Sequence, residues 1–413
     1  MLSPGSQSES VEDDAALLER LQKRLGGPAD VVARVPGRVN LIGGHLDYHE
    51  GVVLPLAIDR GLAIYARRRP DTVVRVYSEA VPLEVEFDLR AAERHPAALA
   101  QYCQGAVAAL SRGYSCASGC DAFITGDLPM GRGLSSSSAL VVGFIGILAR
   151  LSGHTLTPMD IAELGNDAEH WFGTTGGIMD QYTITHGRQG HAILIDFRSL
   201  THAYVPMPES AVVVVADTGS AHYQLDSPFS QRRREAEAGL QVLKSLYPGI
   251  TALRDVTPDL LADHQSALMR VDPSGTFLRR CRHVVTEIAR VETAVTALRG
   301  GDVDRFGALM SASHASLRDN YDVSCKELDV FVDIAVGTEG VFGARMTGAG
   351  FGGSAICLVA EDKIDDLVER LRIEYPKYAG RSLTIYLPSS NDGASVRFLK
   401  QSADFVQLRE LIQ

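Results

Sequence analysis

The stretch GDLPMGRGLSSSSAL, residues 126–140, restricts the fold more than any other part of the chain. The apolar run Ala122–Thr125 reads as a strand that enters a glycine-rich turn, and a small-polar run then opens a helix. A strand, a tight turn and a helix start is how backbone amides build a phosphate site. The first-turn N–H groups have no intrahelical partner and carry the positive end of the helix dipole. Serine hydroxyls in such a place cap the helix, bind phosphate oxygens or ligate Mg²⁺. Arg132 adds a cation beside them. A Ser-rich cap on a buried helix is the simpler reading, but four successive serines exceed what capping requires. No GxxxxGK[ST] pattern occurs in the chain, so this is not a Walker loop.

Upstream, PGRVNLIGGHLDYHEG (residues 36–51) crowds Arg38, His45 and Asp47 into a glycine-punctuated turn between apolar runs. Such side chains hydrogen-bond a polyhydroxylated ligand, and the glycines let backbone approach it closely. Taken alone, the window fits equally well a strand-to-loop connection with a solvated charge pair. Downstream, TTGGIMDQY sets Asp180 just after a glycine pair, where an acid serves as helix N-terminal charge, fold-stabilising acceptor or catalytic base. Glu169 falls on a helix face and is either solvated or an oxygen ligand of the kind Mg²⁺ prefers. GAGFGG (348–353) matches G-x-G-x-x-G, yet a strand-like SAICLVA follows it at once. A dinucleotide fingerprint opens a helix, so the match fails on context. A glycine turn packed against a ligand or the phosphate helix fits better.

Helical spacing is expected over Asp13–Leu25, 99–110, 158–172, 177–187, 228–246, 274–298, 301–318, 325–336 and 363–374. Strands are expected through much of 31–87 and at 122–125, 191–197, 212–217, 341–346, 354–359 and 382–387. Residues 1–12 read as a tail. Strands followed by helices in both halves imply an α+β fold of two lobes with a cleft between them. The expected division is tail and helix over 1–27, an N-terminal domain over 28–208, a C-terminal domain over 209–390 and an extension over 391–413. The extension contains QSADFVQLRELIQ, amphipathic enough for a helix.

Two lobes also follow from length, because 413 residues exceed one compact core. Forty basic against 51 acidic residues give a net charge of −11 without a long basic run, which argues against a nucleic-acid partner. The six cysteines are scattered, with only Cys116 and Cys120 close together, and read as reduced thiols rather than a zinc site. The polar, acidic N-terminus resembles no signal peptide, and the longest apolar stretch, Ala139–Leu148, is too short to span a bilayer. A cytoplasmic protein without membrane partners is expected, either a monomer or a weak homo-oligomer.

Together the segments resemble the galactokinase family of the GHMP kinases. PGRVNLIGGHLDYHEGVVLPLAI is similar to its N-terminal signature, PMGRGLSSSSAL to its ATP loop, GGIMDQY to its catalytic-aspartate segment and ARMTGAGFGGSA to its C-terminal glycine motif. RHVVTEI (282–288) and SHASLRDNYDVSCKELD (313–329) are also similar to its helices. The resemblance implies the two-lobed GHMP fold, with the active site in the cleft. It implies transfer of the ATP γ-phosphoryl group to the anomeric hydroxyl of D-galactose or a galacto-configured sugar, with Mg²⁺. On this reading Asp180 sits at the sugar O1, and Arg38 steadies it and the developing phosphoryl charge. The sugar contacts would be Arg38, Gly44, His45, Asp47, Gly177, Asp180 and Phe229. The ATP loop would comprise Gly131, Arg132, Gly133, Leu134, Ser135, Ser136, Ser137 and Ser138. Ser78 and Tyr102 would lie near the nucleotide, and Ser137 and Glu169 would hold the metal.

The chain departs from the family in its sugar pocket. Galactokinases usually read GEHTDY, and this chain reads GGHLDY, so the glutamate that bonds the sugar's C6 hydroxyl is Gly44. Loss of such a charge-assisted bond costs about 1.5–3 kcal/mol. The family's sugar-contacting tyrosine is Phe229, its GFGGC ends on Ser354, and the loop from Glu169 to Asp180 is shortened. Plant arabinose kinases carry glycine at the Gly44 position and galacturonate kinases alanine, so L-arabinose and D-galacturonate are alternative substrates. A non-catalytic galactose sensor would show a damaged serine loop, and here the loop is intact. Kinases of mevalonate, homoserine or a heptose phosphate are disfavoured by the NLIG…DY and GIMDQ wording.

Overall fold

Helix α1 (Gln7–Leu25) opens the computed structural model, which describes residues 7–79, 81–116, 118–174, 176–220 and 229–399. The helix starts ahead of the expected Asp13, so residues 7–12 are helical rather than tail. Leu21 and Leu25 bury against Val32, Tyr65 and Phe123 in a small cluster of their own.

The N-terminal lobe continues with β1 (Val31–Ile42), β2 (Val52–Arg68), β3 (Val73–Ser78), β4 (Leu83–Asp88), α2 (Ala98–Leu110) and β5 (Cys120–Gly126). It is completed by α3 (Ser136–Leu151), α4 (Pro158–Phe172), α5 (Met179–His186), β6 (His191–Asp196) and β7 (Thr201–Pro206). Helix α3 is apolar nearly all round (ALVVGFIGIL) and is correspondingly buried nearly all round. It packs on β1 and is covered by α2 and α4. Thr157 caps α4 in a capping box with Asp160, which explains why that start was plain in the sequence.

The C-terminal lobe runs β8 (Ala211–Asp217), α6 (Phe229–Leu246), α7 (Pro258–Val271), α8 (Thr276–Arg299), α9 (Val303–Ser316) and α10 (Lys326–Val336). It ends with β9 (Val341–Met346), β10 (Ser354–Ala360), α11 (Ile364–Ala379), β11 (Thr384–Tyr386) and β12 (Ser395–Phe398). Four of these strands form an antiparallel sheet in the order β11-β8-β10-β9. The other sheet runs β12-β1-β2-β5-β3-β4, with the β6–β7 hairpin joined to the start of β2. Its neighbours are antiparallel except β3 and β5.

One apolar core runs through both lobes. The final strand returns to the N-terminal sheet, where Val396 pairs with Ala33. Three elements, β7, α7 and β12, were not expected from the sequence. The amphipathic run 401–413 lies outside the described residues. No described helix is long and apolar enough to cross a membrane, and the six cysteines are unpaired.

Candidate active site

Three segments meet at Asp180. Arg38 projects from β1 just after a register shift at Pro36/Gly37. Its guanidinium clasps Asp180 by two bonds, Nε to Oδ1 at 2.7 Å and Nη2 to Oδ2 at 2.6 Å. The third nitrogen, Nη1, donates to the Gly133 carbonyl at 2.7 Å. Such a planar fork holds a carboxylate in one orientation. Ser135 Oγ donates to Asp180 Oδ2 at 2.6 Å. Asp180 stands in the first turn of α5 and keeps a quarter of its side chain exposed, enough to meet a substrate.

Ser135 has left-handed backbone (φ 63°), and its hydroxyl faces Asp180 instead of capping α3. The helix therefore starts without a side-chain cap, which leaves its first N–H groups as donors of the kind that bind a phosphate. Gly133, at φ 79°, takes a conformation that a side chain would strain. The glycine turn after β9 packs against it, since a Cβ on Gly348 would lie 3.1 Å from the Gly133 carbonyl. That turn continues into β10, not a helix. Arg132 pairs with Asp217 across the cleft at 3.2 Å, and its carbonyl accepts from Ser354 Oγ at 2.7 Å. Gly131 N donates to Ser136 Oγ at 3.2 Å, and the Leu134 carbonyl accepts from Arg38 N at 3.2 Å.

Glu169 on α4 accepts from Ser138 Oγ at 2.6 Å, while Ser137 bonds the hydroxyl of Tyr102, which stacks on Phe172 at 4.1 Å. Burial pushes the Glu169 carboxyl up to about 7, and the charge of Asp180 adds to the rise. Glu169 and the Ser137 hydroxyl are hard oxygens of the kind Mg²⁺ takes, so these two residues fit that ion, while no cluster of three or more His, Cys, Asp or Glu that could hold a metal lies among the described residues. Ser78 stands apart: its Oγ accepts from Val81 N at 3.3 Å, and among the described residues no hydrogen bond ties it to the serine loop.

The second half of the site lies along residues 44–48. Asp47 faces Gly177, where a Cβ would lie 2.7 Å from its Cγ. Burial, then the charge of Asp180, lifts the Asp47 carboxyl to about 6, against the backbone N–H of Gly177, which favours its ionised form. His45 is left-handed (φ 63°), and its Nδ1 bonds Tyr48 Oη at 2.8 Å. Burial holds its imidazole far below the usual range, so it is neutral. Phe229, the first residue of α6, packs on His45 and Tyr48 with ring centres 5.5 and 5.3 Å away.

Sequence reasoning assigned no role to several residues beneath this segment. His283 Nε2 bonds the Gly44 carbonyl at 3.0 Å, and Glu287 Oε1 accepts from Gly43 N at 3.0 Å. Both lie on α8, so the C-terminal lobe fixes the glycine pair. The available signal was a histidine and a glutamate four residues apart on an apolar helix, one face carrying two polar groups. Arg345 on β9 also reaches this place, its Nη2 lying 2.7 Å from where a Cβ on Gly44 would stand.

An uncapped helix start beside a clamped aspartate, in the cleft of two α+β lobes, matches a small-molecule kinase of the GHMP type. The family models for the GHMP kinase N- and C-terminal domains match residues 101–188 and 294–377, and the galactokinase galactose-binding signature matches 19–68. The chain is 42% identical over 382 residues to a galactokinase of Roseiflexus sp. (strain RS-1), covering 92% of this chain and 96% of that one. It is 40% identical to a galactokinase of Chloroflexus aurantiacus over 92% of this chain and 97% of the relative. Among solved structures, Lactococcus lactis galactokinase complexed with galactose superposes with a TM-score of 0.87 at 32% identity, over 92% of this chain and 99% of that one. Methanococcus jannaschii mevalonate kinase shares the fold, with a TM-score of 0.62 at 18% identity over 88% and 99%. The chain belongs to the galactokinase family and is an ATP-dependent sugar kinase.

Proposed function

We propose that the chain phosphorylates the anomeric hydroxyl of D-galactose or another galacto-configured sugar. The observation that carries this reading is the Arg38–Asp180–Ser135 clamp set against the uncapped start of α3. In the step, the sugar oxygen forms a bond to the γ-phosphorus and the bond to the β,γ-bridging oxygen breaks, releasing ADP. Asp180 receives the hydroxyl proton through the face that Arg38 and Ser135 leave open. Arg38, held also by the Gly133 carbonyl, keeps the acceptor line fixed and offsets negative charge at the phosphoryl group. The α3 N–H groups stabilise the phosphate oxygens. Ser137 and Glu169 would hold Mg²⁺, whose charge neutralises the phosphates when it is bound. His45, Asp47 and the backbone at Gly177 orient the remaining hydroxyls, which places the reactive one in line.

The test is ADP release from ATP with a panel of sugars, and ³¹P NMR of the product. Sugar-dependent ADP with phosphate on C1 is expected. Sugar binding without turnover, or phosphate on another carbon, would overturn the reading.

A further inference from the structure

The turn that carries Asp47 closes on a strained residue. Asp47–His49 form one tight turn, with His49 N and Gly51 N both donating to the Leu46 carbonyl at 3.0 Å. Glu50 then takes left-handed backbone (φ 56°, ψ 26°), as His45 does at the other end (φ 63°). That region is costly for a residue with a Cβ, and such a position persists only where its surroundings over-determine it. Two arginines supply the constraint. Arg254 Nη1 donates to the Glu50 carbonyl at 3.0 Å, and Arg198 Nε to the Glu50 carboxylate at 2.8 Å.

Arg254 belongs to the C-terminal lobe, on the turn Leu253–Asp255 between α6 and α7, yet it grips the N-terminal lobe. Its Nη1 and Nη2 take both oxygens of Asp196 at 2.7 and 2.6 Å. Burial would raise the Asp196 carboxyl, but the Arg254 fork overcomes it and holds the group below its usual range. Asp196 ends β6 opposite Val52, and Phe197 N donates to the Gly51 carbonyl at 3.0 Å, so this frame adjoins Glu50 directly. The arginine's own turn is firm. Asp255 accepts from Thr251 N, Thr251 Oγ1 and Ala252 N at 2.8, 2.8 and 3.0 Å, and from Arg198 Nη1 at 2.7 Å. Leu253 is buried and the turn packs on α8, the helix whose His283 and Glu287 hold Gly44 and Gly43. One helix thus supports the Asp47 segment at both ends. Pairs as exposed as Arg198 (40%) and Glu50 (50%) add little stability, whereas a planar fork fixes orientation.

We propose that Arg254 is a positioning residue for sugar binding: by pinning the left-handed Glu50 to Asp196 across the two lobes, it holds the Asp47 carboxylate where a sugar hydroxyl meets it. The tolerance is narrow, since a Cβ on Gly177 would already stand 2.7 Å from the Asp47 Cγ. The inference rests on the sugar-kinase reading above and adds to it a residue outside the sugar pocket. The described hydrogen bonds of Arg254 reach neither the Arg38–Asp180–Ser135 clamp nor the serine loop, so it acts on binding and not on the transfer step.

The experiment measures calorimetric binding of D-galactose to the full chain without nucleotide, then kcat and the KM values for galactose and ATP. Arg254→Met should weaken galactose binding and raise its KM about tenfold, with kcat and the KM for ATP within about twofold of wild type. Glycine takes left-handed backbone without that cost, so Glu50→Gly added to Arg254→Met should restore galactose affinity to within about threefold of wild type. An arginine that merely stabilises the fold gives no such rescue, because Glu50→Gly removes a further ion pair. If Arg254→Met does not fold, Asp196→Asn decides the matter: it keeps the shape of the fork without its charge, and the galactose KM should rise by a smaller factor. A lower Tm with unchanged galactose affinity, an equal change in both KM values, or no recovery in the double variant overturns the inference. So does an unchanged galactose KM in Asp196→Asn, or a wild type that binds no galactose. Arg254-dependent galactose binding with no ADP from any sugar would sink the kinase reading and leave this one standing.

Discussion

Asp47 is expensive to keep ionised. Its carboxyl sits at about 6 in the folded chain against a reference of 3.8, because burial and Asp180 disfavour the charge. The folded state therefore holds its proton more tightly than the unfolded state, and stability falls as pH rises from near 4 through 6. Above that window the cost reaches about 3 kcal/mol at most. Asp47→Asn should raise Tm at pH 7.5 and change it little at pH 4.5, while weakening sugar binding. Scanning calorimetry at the two pH values checks this, and a pH-independent difference would refute the assignment. Arg38 poses the complementary case, where shape matters beyond charge. Arg38→Lys keeps the cation but loses the fork on Asp180, and kcat should fall about 100-fold. A steady-state comparison at saturating ATP and sugar measures it; retention of kcat within a factor of two would mean that charge alone suffices. The sequence singled out Arg38, Asp180 and Ser135 in short, glycine-punctuated segments, and the structure brings these three together. Arg345 and His283 were not, because they reach Gly44 from a distant strand and helix and no local pattern announces that meeting.

Elements were legible where local physics decides them. Helix α4 has its Thr157 cap, proline start and Gly173 stop, and it spans the expected 158–172. Strands β9 and β10 were plain from apolar runs bounded by glycines. Strand β7 (THAYVP) was missed because its alternation is weak and histidine and proline dilute it. Helix α7 carries the usual Thr257 cap and Pro258, but its polar outer face masks the period. The start of α5 shows how an element serves chemistry. Gly177 precedes it with no room for a side chain, since a Cβ there would push directly on Asp47. Gly177→Ala should displace that carboxylate, raise KM for the sugar about tenfold and leave KM for ATP unchanged, as expected for lost ground-state contacts. Initial-rate kinetics with each substrate varied separates the two. A rise confined to ATP would show that the glycine serves the phosphate side instead.

At the scale of the whole molecule, the two lobes are tied at both ends of the cleft. Arg132–Asp217 and Ser354–Arg132 join them at the serine loop. Asn40 N–Thr347 Oγ1, at 2.9 Å, and the Glu287 and His283 bonds to Gly43 and Gly44 join them around the Gly43–Gly44 turn. On the proposed reading, substrate groups would thus meet residues fixed by both lobes at once. The segment after β11 adds a third tie that the sequence concealed, because a four-residue strand gains its identity from its partner and not from its own pattern. Asp59 N donates to Ser389 O, Ala394 N to Ile184 O, and β12 covers the edge of β1 from Val31 to Arg34. Val396 also fills the groove over Gly146 on α3. Ending the chain at Leu387 would strip these contacts, empty that groove and expose four apolar-rich residues of a long strand as a free edge. The loss should be about 2 kcal/mol or more, from one buried valine and several backbone bonds. Thermal unfolding should shift downward, and light scattering should show self-association through the bared β1 edge. Because none of these contacts touches Asp180, Arg38 or Ser135, turnover at 25 °C should persist within a few-fold. An unchanged Tm would show that residues 388–399 are an appendage rather than the strap that closes the N-terminal sheet.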